Sequence, residues 1–150
     1  DVARDALNLG KHVFLYSDNV SLTEEIELKQ LAQSKGLLVM GPDCGTAIIQ
    51  GIPLGFANAV RRGAIGVVGA SGTGTQQVTC LVHRLGAGIS HAIGTGSHDL
   101  SAQVGGITML QGIKARAGGR ATKVIVRASL CGWYMRSPAR CWLVAWLFWD

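Results

Sequence analysis

The stretch that decides the fold is IGVVGASGTGTQQ, residues 65–77. An apolar, β-branched run from Ile65 to Val68 stops at a cluster of glycines and hydroxyl side chains. Apolar residues then return at helical spacing, at Val78, Leu81, Val82 and Leu85. The pattern predicts a buried strand, a tight turn and a helix, which is the repeating unit of an α/β fold with a parallel sheet.

The turn has the features of an anion site. Glycines at positions 69, 72 and 74 let a ligand approach the main chain closely, and hydroxyl side chains stand at the helix start. Free N–H groups and the positive end of the helix dipole face one point, so an anion is the natural occupant. Because the dipole alone contributes about 0.3–1 kcal/mol, several N–H bonds must add to it. The residues predicted to bind phosphate are Ser71, Gly72, Thr73, Gly74 and Thr75.

Two familiar nucleotide motifs nearly match this turn and fail. The spacing from Gly69 to Gly74 is that of a P-loop, but Thr75 and Gln76 stand where Lys and Ser/Thr would bind terminal phosphates. The dinucleotide-binding fingerprint needs a third glycine where Gln77 stands. A glycine-rich turn that binds no ligand is the remaining alternative.

Charge is distributed unevenly along the 150 residues, whose length suits about one domain and whose 48% hydrophobic content allows a packed core. The net charge of the whole chain is +5. Residues 114–150 hold seven basic side chains and one acid, which gives this segment a charge of +6. Residues 1–113 hold 7 basic and 8 acidic side chains, which gives −1. The body of the protein is nearly neutral, so we expect no specific nucleic-acid partner.

The cysteines indicate a reducing compartment. Cys44, Cys80, Cys131 and Cys141 form no Cys-x-x-Cys pair and follow no secretory signal. We therefore expect reduced thiols, no metal site and a cytoplasmic location. The apolar run 141–149 is about half as long as a membrane-spanning helix, so no membrane partner is expected.

The first 45 residues predict a β-α-β unit. Residues 2–9 read as the end of an amphipathic helix, and 12–16 and 37–40 as buried strands. Ser21 and Glu24 form a capping box that starts the helix between the strands. The loops 17–20 and 41–45 then lie at one edge of the sheet, where ligands bind in open α/β sheets. Alternatively, the polar residues of the first loop only cap and turn the chain.

A second unit follows. Residues 47–49 and 52–56 predict a hairpin, and 89–93 predict a strand that leads into the glycine-rich loop 94–106. His98 and Asp99 in that loop are adjacent in sequence, and we expect a solvated pair rather than a catalytic one. His83 and His91 lie within the predicted helix and strand and are expected to be structural.

Three segments together carry a family resemblance: GPDCGT at 41–46, GVVGASGTGTQ at 66–76 and HAIG at 91–94. In this order and separation they resemble the α-subunit of succinyl-CoA synthetase, and most closely its FdrA-type acyl-CoA synthetase relatives. The resemblance covers roughly residues 3–112. It implies a Rossmann-like CoA-binding domain followed by a flavodoxin-like ligase domain.

Domain boundaries follow from that resemblance. Residues 1–45 would be the C-terminal part of the CoA-binding domain and 46–64 a hairpin linker. Residues 65–113 would open the ligase domain, and 114–150 would form an atypical tail. The chain would thus hold parts of two domains, both with parallel sheets.

The resemblance also implies ligands and their sites. CoA would lie against Tyr16, Ser17 and Asp18, beside the turn at Gly41, Pro42 and Asp43. The helix after Ser71 would hold the phosphoryl group during transfer through a phosphohistidine, which suits electrostatic work by a helix N-terminus. ATP or GTP with Mg²⁺ would act through the rest of the enzyme. A second subunit or further domains would be partners.

The sequence departs from this family in two places. The family's phosphorylated histidine lies well downstream of Gly106, and Gln76 replaces a tyrosine that contacts the partner subunit. We therefore assign no catalytic residue and expect a fragment that is inactive alone. FdrA-type relatives are also linked to carbamoyl transfer, as subunits of an oxamate carbamoyltransferase, and carbamoyl phosphate would suit the same anion site. A non-catalytic interaction module is the other alternative.

The tail differs in composition from the rest. After Ile113 the periodicities vanish, and Arg, Trp and Cys rise together, including all four tryptophans. This composition predicts a shifted reading frame from about residue 114, which resequencing of the coding DNA would test. The alternative is a genuine extension that binds nucleic acid or membrane.

Overall fold

The computed structural model describes residues 2–117, 122–128 and 144–147. Helices and strands alternate along most of the chain, and both sheets contain parallel strand pairs. This arrangement confirms the predicted α/β class. The helices are α1 (Val2–Asn8), α2 (Leu22–Ser34), α3 (Gly72–Arg84) and α4 (Ile107–Ala117). The strands are β1 (Val13–Phe14), β2 (Val39–Met40), β3 (Thr46–Ile49), β4 (Ile52–Gly55), β5 (Arg62–Gly69), β6 (Ile89–Gly94), β7 (Val124–Ala128) and β8 (Val144–Leu147).

Strands β1 and β2 form a small parallel sheet, with Val13 opposite Val39 and Phe14 opposite Met40. Helix α2 crosses between them, begins at the predicted capping box and packs on the sheet together with α1. The shared core of these elements is Leu7, Val13, Leu28, Ala32 and Val39. The predicted β-α-β unit is therefore confirmed.

The large sheet has six strands in the order β4-β3-β6-β5-β7-β8. Its centre, β6-β5-β7, is parallel, and the outer pairs are antiparallel. Because successive residues of a strand face opposite sides, Val67 packs towards α3 and Val68 towards α4 and the small sheet. The predicted strand, turn and helix at 65–77 are confirmed as β5, its loop and α3.

The predicted hairpin is confirmed as β3 and β4, which pair in antiparallel fashion. Its two turn residues, Gln50 and Gly51, both have positive φ (53° and 80°), as a tight hairpin turn requires. Ile48 pairs with Ala92 of β6, so the hairpin also belongs to the large sheet. Pro53 removes a backbone donor from the edge strand β4, which limits pairing with other chains.

Helix α4 joins the two sheets. Thr108 Oγ1 donates to Val39 O at 3.0 Å, and Gln111 Nε2 donates to Leu37 O at 3.1 Å. These carbonyls lie on the side of β2 that does not pair with β1, because β1 uses Leu38 O. Side chains of α4 therefore replace a neighbouring strand at this edge.

Regular structure continues beyond Ile113, where the sequence shows no periodicity. Helix α4 extends to Ala117, and β7 pairs with β5 over five residues from Val124 to Ala128. The prediction about the tail otherwise falls largely on residues 118–121, 129–143 and 148–150, which lie outside the described residues. Within the described part, no helix is long and apolar enough to cross a membrane.

Candidate functional site

A cleft of about 360 Å³ lies at the carboxyl ends of β2, β5 and β6. Its walls include Asp43 after β2, Ser71–Thr73 after β5 and Ser97 after β6, with Phe56 and Gln76 at one side. Ligands of open α/β sheets bind at this edge. The cleft therefore brings together the turn predicted to bind CoA and the helix start predicted to bind phosphate.

The turn at 41–45 folds back onto the loop after β1. Asp43 N donates to Ser17 O at 2.9 Å, and Cys44 N donates to Leu15 O at 3.2 Å. Gly41 has φ of 103°, and a Cβ there would collide with Leu15 O, so only glycine fits. The backbone thus holds two of the predicted CoA-binding segments side by side.

The residues predicted to bind CoA differ in exposure. Gly41 and Pro42 are buried beneath the cleft, whereas Asp43 is exposed in its wall. Tyr16, Ser17 and Asp18 are exposed in the loop after β1. Of the six residues predicted to bind CoA, Asp43 lines the cleft. The other five would support the cleft wall or form a surface next to it.

Tyr16 reaches the cleft through an aromatic neighbour. Its ring packs edge to face against Phe56, with the centroids 5.8 Å apart, and against Phe14 at 4.9 Å. Phe56 is 71% exposed and Tyr16 47% exposed. These rings form an uncovered aromatic rim beside a polar cleft.

The first turn of α3 leaves two amides available. Ser71 is the N-cap: its Oγ accepts from Gly74 N at 3.1 Å, and its carbonyl accepts from Thr75 N at 2.9 Å. Among the described residues, the amides of Gly72 and Thr73 have no acceptor. Both residues line the cleft, so its wall contains the positive end of the helix and two residues whose N–H groups have no acceptor among the described residues.

Two of the residues predicted to bind phosphate lie differently. The Gly74 amide is occupied by Ser71. Thr75 is fully buried, and its hydroxyl lies against Gly69 rather than in the cleft wall. The part of the predicted phosphate site that lines the cleft is therefore Ser71, Gly72 and Thr73.

Gln76 ties α3 to the hairpin. Its Nε2 donates to Thr46 Oγ1 at 3.0 Å and to Phe56 O at 2.9 Å. Sequence reasoning noted this residue only as a departure from a family pattern. Its acceptors lie 30 and 20 positions away, so no local signal could have found them.

Cys44 lies behind the cleft as a buried, unreactive thiol. Burial is the main cause that raises its pKa to about 11; among the smaller causes, the backbone of Thr46 and the Lys29 charge lower the pKa and the Asp43 charge raises it. The Sγ atom lies 3.6 Å from Thr46 O. At neutral pH the thiol is protonated and is no nucleophile.

The expectation of a solvated His98–Asp99 pair is wrong for Asp99. This carboxylate is fully buried: Oδ1 accepts from Lys29 Nζ at 2.8 Å and Thr108 N at 3.1 Å, and Oδ2 accepts from Met109 N at 2.9 Å. His98 is exposed, as expected. Asp99 caps α4 from nine residues upstream and meets Lys29 across 70 positions, so the sequence could not show its burial.

Metal-binding groups do not cluster in the described part of the chain. No three His, Cys, Asp or Glu side chains there lie close enough to hold an ion.

A larger groove of about 760 Å³ lies at the opposite, amino-terminal edge of the strands, between Phe14 and Met40 of the small sheet and Arg62 and Ser90 of the large one.

Comparison with known proteins places this chain near CoA ligases. No protein-family model matches it. It is 54% identical over 127 residues to Uncharacterized protein YahF of Escherichia coli (strain K12), covering 85% of this chain and 25% of that protein. It is 30% identical over 103 residues to the ADP-forming sulfoacetate-CoA ligase subunit SauD of Bilophila wadsworthia, covering 64% of this chain and 35% of that subunit.

The extent of these matches bears on the tail. Any stretch of 127 residues in a chain of 150 includes positions 24–127, so similarity to the first relative reaches past residue 114. The chain spans between a quarter and about a third of the length of these relatives.

Solved structures share the fold. ATP citrate lyase from Methanothrix soehngenii, in complex with citrate and coenzyme A, matches with a TM-score of 0.70 and 19% identity over 83% of this chain and 22% of that one. The dinucleotide-forming acetyl-coenzyme A synthetase 1 of Ca. Korarchaeum cryptofilum, in complex with phosphate and ADP, matches with a TM-score of 0.64 and 20% identity over 93% and 30%. Sequence and fold together confirm the resemblance to CoA-ligase-type proteins; the FdrA-type assignment stays a prediction.

Proposed function

We propose that this chain is the part of an acyl-CoA ligase that binds CoA and a phosphoryl group, and that it is inactive without further domains or a second subunit. The observation that carries the proposal is the cleft in which the Asp43 turn meets two unpaired amides of α3. Similarity to a sulfoacetate-CoA ligase subunit supports the reaction class.

The amides of Gly72 and Thr73 are the proposed phosphoryl contacts. Hydrogen bonds to a charged acceptor contribute about 1.5–3 kcal/mol each, and the helix dipole adds up to about 2 kcal/mol in a partly buried site. Ser71 also lines the cleft, and its hydroxyl oxygen lies 3.4 Å from Thr73 Oγ1. Since none of the described residues that line the cleft is basic, these amides, the hydroxyls and the helix dipole would supply the stabilisation of negative charge.

Asp43 has a different role in the proposal. The Asp43 carboxylate would repel the phosphates of CoA, so this side chain suits the N–H and O–H donors of the CoA arm. Its φ of 56° is held by the bond from Asp43 N to Ser17 O. Tyr16 and Phe56 offer an apolar surface beside it, and the exposed Ser17 and Asp18, which follow Tyr16 in the chain, add polar groups.

The chemistry explains why both ligands belong in one cleft. A carboxylate is a poor acyl donor, so it is first converted to an acyl phosphate. The CoA sulfur then attacks the acyl carbon, the bond from that carbon to the phosphate oxygen breaks, and phosphate leaves with the electron pair. Amides that hold the phosphoryl oxygens stabilise that departure. ATP or GTP with Mg²⁺ would enter through the rest of the enzyme.

The test compares two substitutions at Gly72. Proline is tolerated at the first helical position and removes the N–H, and the extended Ser71 (ψ 121°) accepts a following proline. Alanine keeps the N–H and meets only Thr46 Oγ1 at 3.4 Å. Calorimetric titration with inorganic phosphate should show Gly72→Ala binding like the wild type and Gly72→Pro binding about tenfold or more weakly, as loss of one charge-assisted bond predicts.

Equal affinity of the two variants for phosphate would show that the Gly72 amide does not bind it. Titrations with CoA and with carbamoyl phosphate complete the experiment. Binding of carbamoyl phosphate without CoA would favour the carbamoyltransferase alternative. No response to any of the three ligands would favour the non-catalytic interaction module.

A further inference from the structure

Lys29 carries a charge in the interior. Its side chain is fully buried on α2, and its Nζ donates to Glu25 Oε1 at 2.7 Å, Asp99 Oδ1 at 2.8 Å and Thr95 O at 2.9 Å. Both carboxylates are buried as well. All three ammonium protons are therefore used, one within α2 and two on the loop after β6.

Stability is a weak explanation for this arrangement. Removing two carboxylates and an ammonium from water is costly, and apolar side chains of similar volume are often as stabilising. The charges are also unbalanced, with one cation against two anions. Glu25 Oε2 has no hydrogen-bond partner among the described residues, although His98 Nδ1 lies 3.4 Å away.

The network connects distant parts of the fold. Lys29 and Glu25 lie on the helix that covers the small sheet, whereas Thr95 and Asp99 follow β6 of the large sheet. Asp99 in turn accepts from the Thr108 and Met109 amides at the start of α4. A single ammonium thus links α2, the loop after β6 and α4.

The loop that Lys29 holds belongs to the cleft. Thr95 N donates to Gly69 O at 2.8 Å, at the end of β5 and two residues before Ser71. The next residue, Gly96, packs so closely on Pro42 O that a Cβ would collide with it. Ser97 then lines the cleft. Thr95 is held through its N–H by the last residue of β5 and through its carbonyl by Lys29.

We infer that Lys29 is a positioning residue for the cleft: by fixing the Thr95 carbonyl it sets the distance between the Asp43 turn, Ser97 and the start of α3. The inference rests on the proposed function of the cleft for its effect on ligands. Its effect on the loop does not depend on any ligand.

The experiment replaces Lys29 in the full 150-residue chain and reads two quantities. Lys29→Met should raise the dissociation constants for inorganic phosphate and for CoA at least fivefold, at a temperature where circular dichroism shows a folded protein. Hydrogen exchange of the Thr95 amide should accelerate at least tenfold relative to the Val67 amide of the core β5 strand in the same sample.

A matched control separates positioning from stability. Leu7→Ala removes a fully buried side chain from the core between α1 and α2 and leaves Thr95 untouched. It should lower the melting temperature yet leave both dissociation constants and the Thr95-to-Val67 exchange ratio unchanged. Identical behaviour of Leu7→Ala and Lys29→Met would overturn the inference.

A second variant covers the case in which Lys29→Met does not fold because two buried carboxylates lose their cation. Glu25→Gln, Lys29→Met and Asp99→Asn together bury no charge, while Thr95 O still lacks its donor. The same exchange ratio should rise, and an unchanged ratio contradicts the inference. If the wild type binds neither phosphate nor CoA, the proposed function fails, and the exchange ratio alone decides the role of Lys29.

Discussion

At the scale of single residues, burial decides the chemistry around the cleft. Cys44 and Asp99 are both polar residues of loops, and both are almost fully buried. Asp99 accepts hydrogen bonds from three donors, whereas the Cys44 thiol has only a weak contact with Thr46 O and a raised pKa. The number of hydrogen-bond partners that each group finds, rather than the residue type, decides how well its burial is compensated.

The raised pKa of Cys44 predicts a pH-dependent loss of stability. The folded pKa of about 11 exceeds the ordinary cysteine pKa of 9.0, so the stabilisation is complete below pH 9 and is lost as pH rises through 11. Urea unfolding should show the wild type losing about 1.4 kcal/mol relative to Cys44→Ala between pH 7 and pH 10. A difference between the two proteins that stays constant with pH would contradict this prediction.

At the scale of elements, the helix starts fix what the helices can do. Helix α2 is closed by a reciprocal capping box, in which Glu24 N donates to Ser21 Oγ at 3.3 Å and Ser21 N donates to Glu24 Oε2 at 3.1 Å. Helix α3 has the serine of such a box but Gly74 in place of its acid. The N-terminus of α2 is therefore capped by its own side chains. The N-terminus of α3 has a one-sided cap, and the amides of Gly72 and Thr73 have no acceptor among the described residues.

The capping box predicts a measurable cost for its loss. Ser21→Ala should lower the free energy of unfolding by about 0.5–2 kcal/mol at pH 7, because it removes the N-cap. Hydrogen bonds from Ser21 lower the pKa of Glu24, so the part of the cost that depends on the Glu24 carboxylate is present above the ordinary carboxyl range and is lost as pH falls through the folded pKa. Urea unfolding at pH 7 and pH 3 measures both effects.

The control for that prediction is Ser34→Ala at the other end of α2, where the hydroxyl donates to Leu31 O within the helix. It should change the free energy of unfolding by less than about 0.5 kcal/mol at either pH. A cost for Ser21→Ala that persists unchanged at pH 3 would show that Glu24 takes no part in the cap.

At the scale of the whole molecule, polar bonds join the two sheets. The Met40, Val68 and Met109 side chains share one apolar cluster between them. Around it, Thr108 and Gln111 bind carbonyls of β2, and Lys29 binds the loop after β6. These contacts align the carboxyl ends of strands from both sheets, and that alignment creates the cleft.

The bond from Thr108 to Val39 O predicts a cost specific to this junction. Thr108→Val removes the donor and leaves a buried carbonyl unsatisfied, which should lower the free energy of unfolding by about 1–3 kcal/mol. Thr79→Val is the matched control: that threonine is also buried on a helix, but its hydroxyl bonds to Gln76 O of its own helix. Chemical denaturation should show the smaller loss for Thr79→Val, and equal losses would contradict a role for the junction bond.

Sequence patterns predicted the parts of the fold whose causes are local. The capping box at Ser21, the turn at 50–51 and the strand-to-helix turn at 65–77 depend on neighbours within a few positions. Sequence patterns did not predict that Glu25 and Lys29 of α2 are buried beside Leu28 and Ala32. Their burial depends on Asp99, which no local pattern connects to them.

The sequence by itself determined the α/β class, the order of most elements and the glycine-rich turn that starts α3, because periodicity, capping and glycine turns act over a few residues. Only the tertiary structure decided which of the predicted site residues line one cleft and which are buried. It also placed Gln76 and Lys29 as the links that shape the cleft. Such links join groups 20 to 70 positions apart, and their partners are chosen by the packing of two sheets rather than by neighbouring residues.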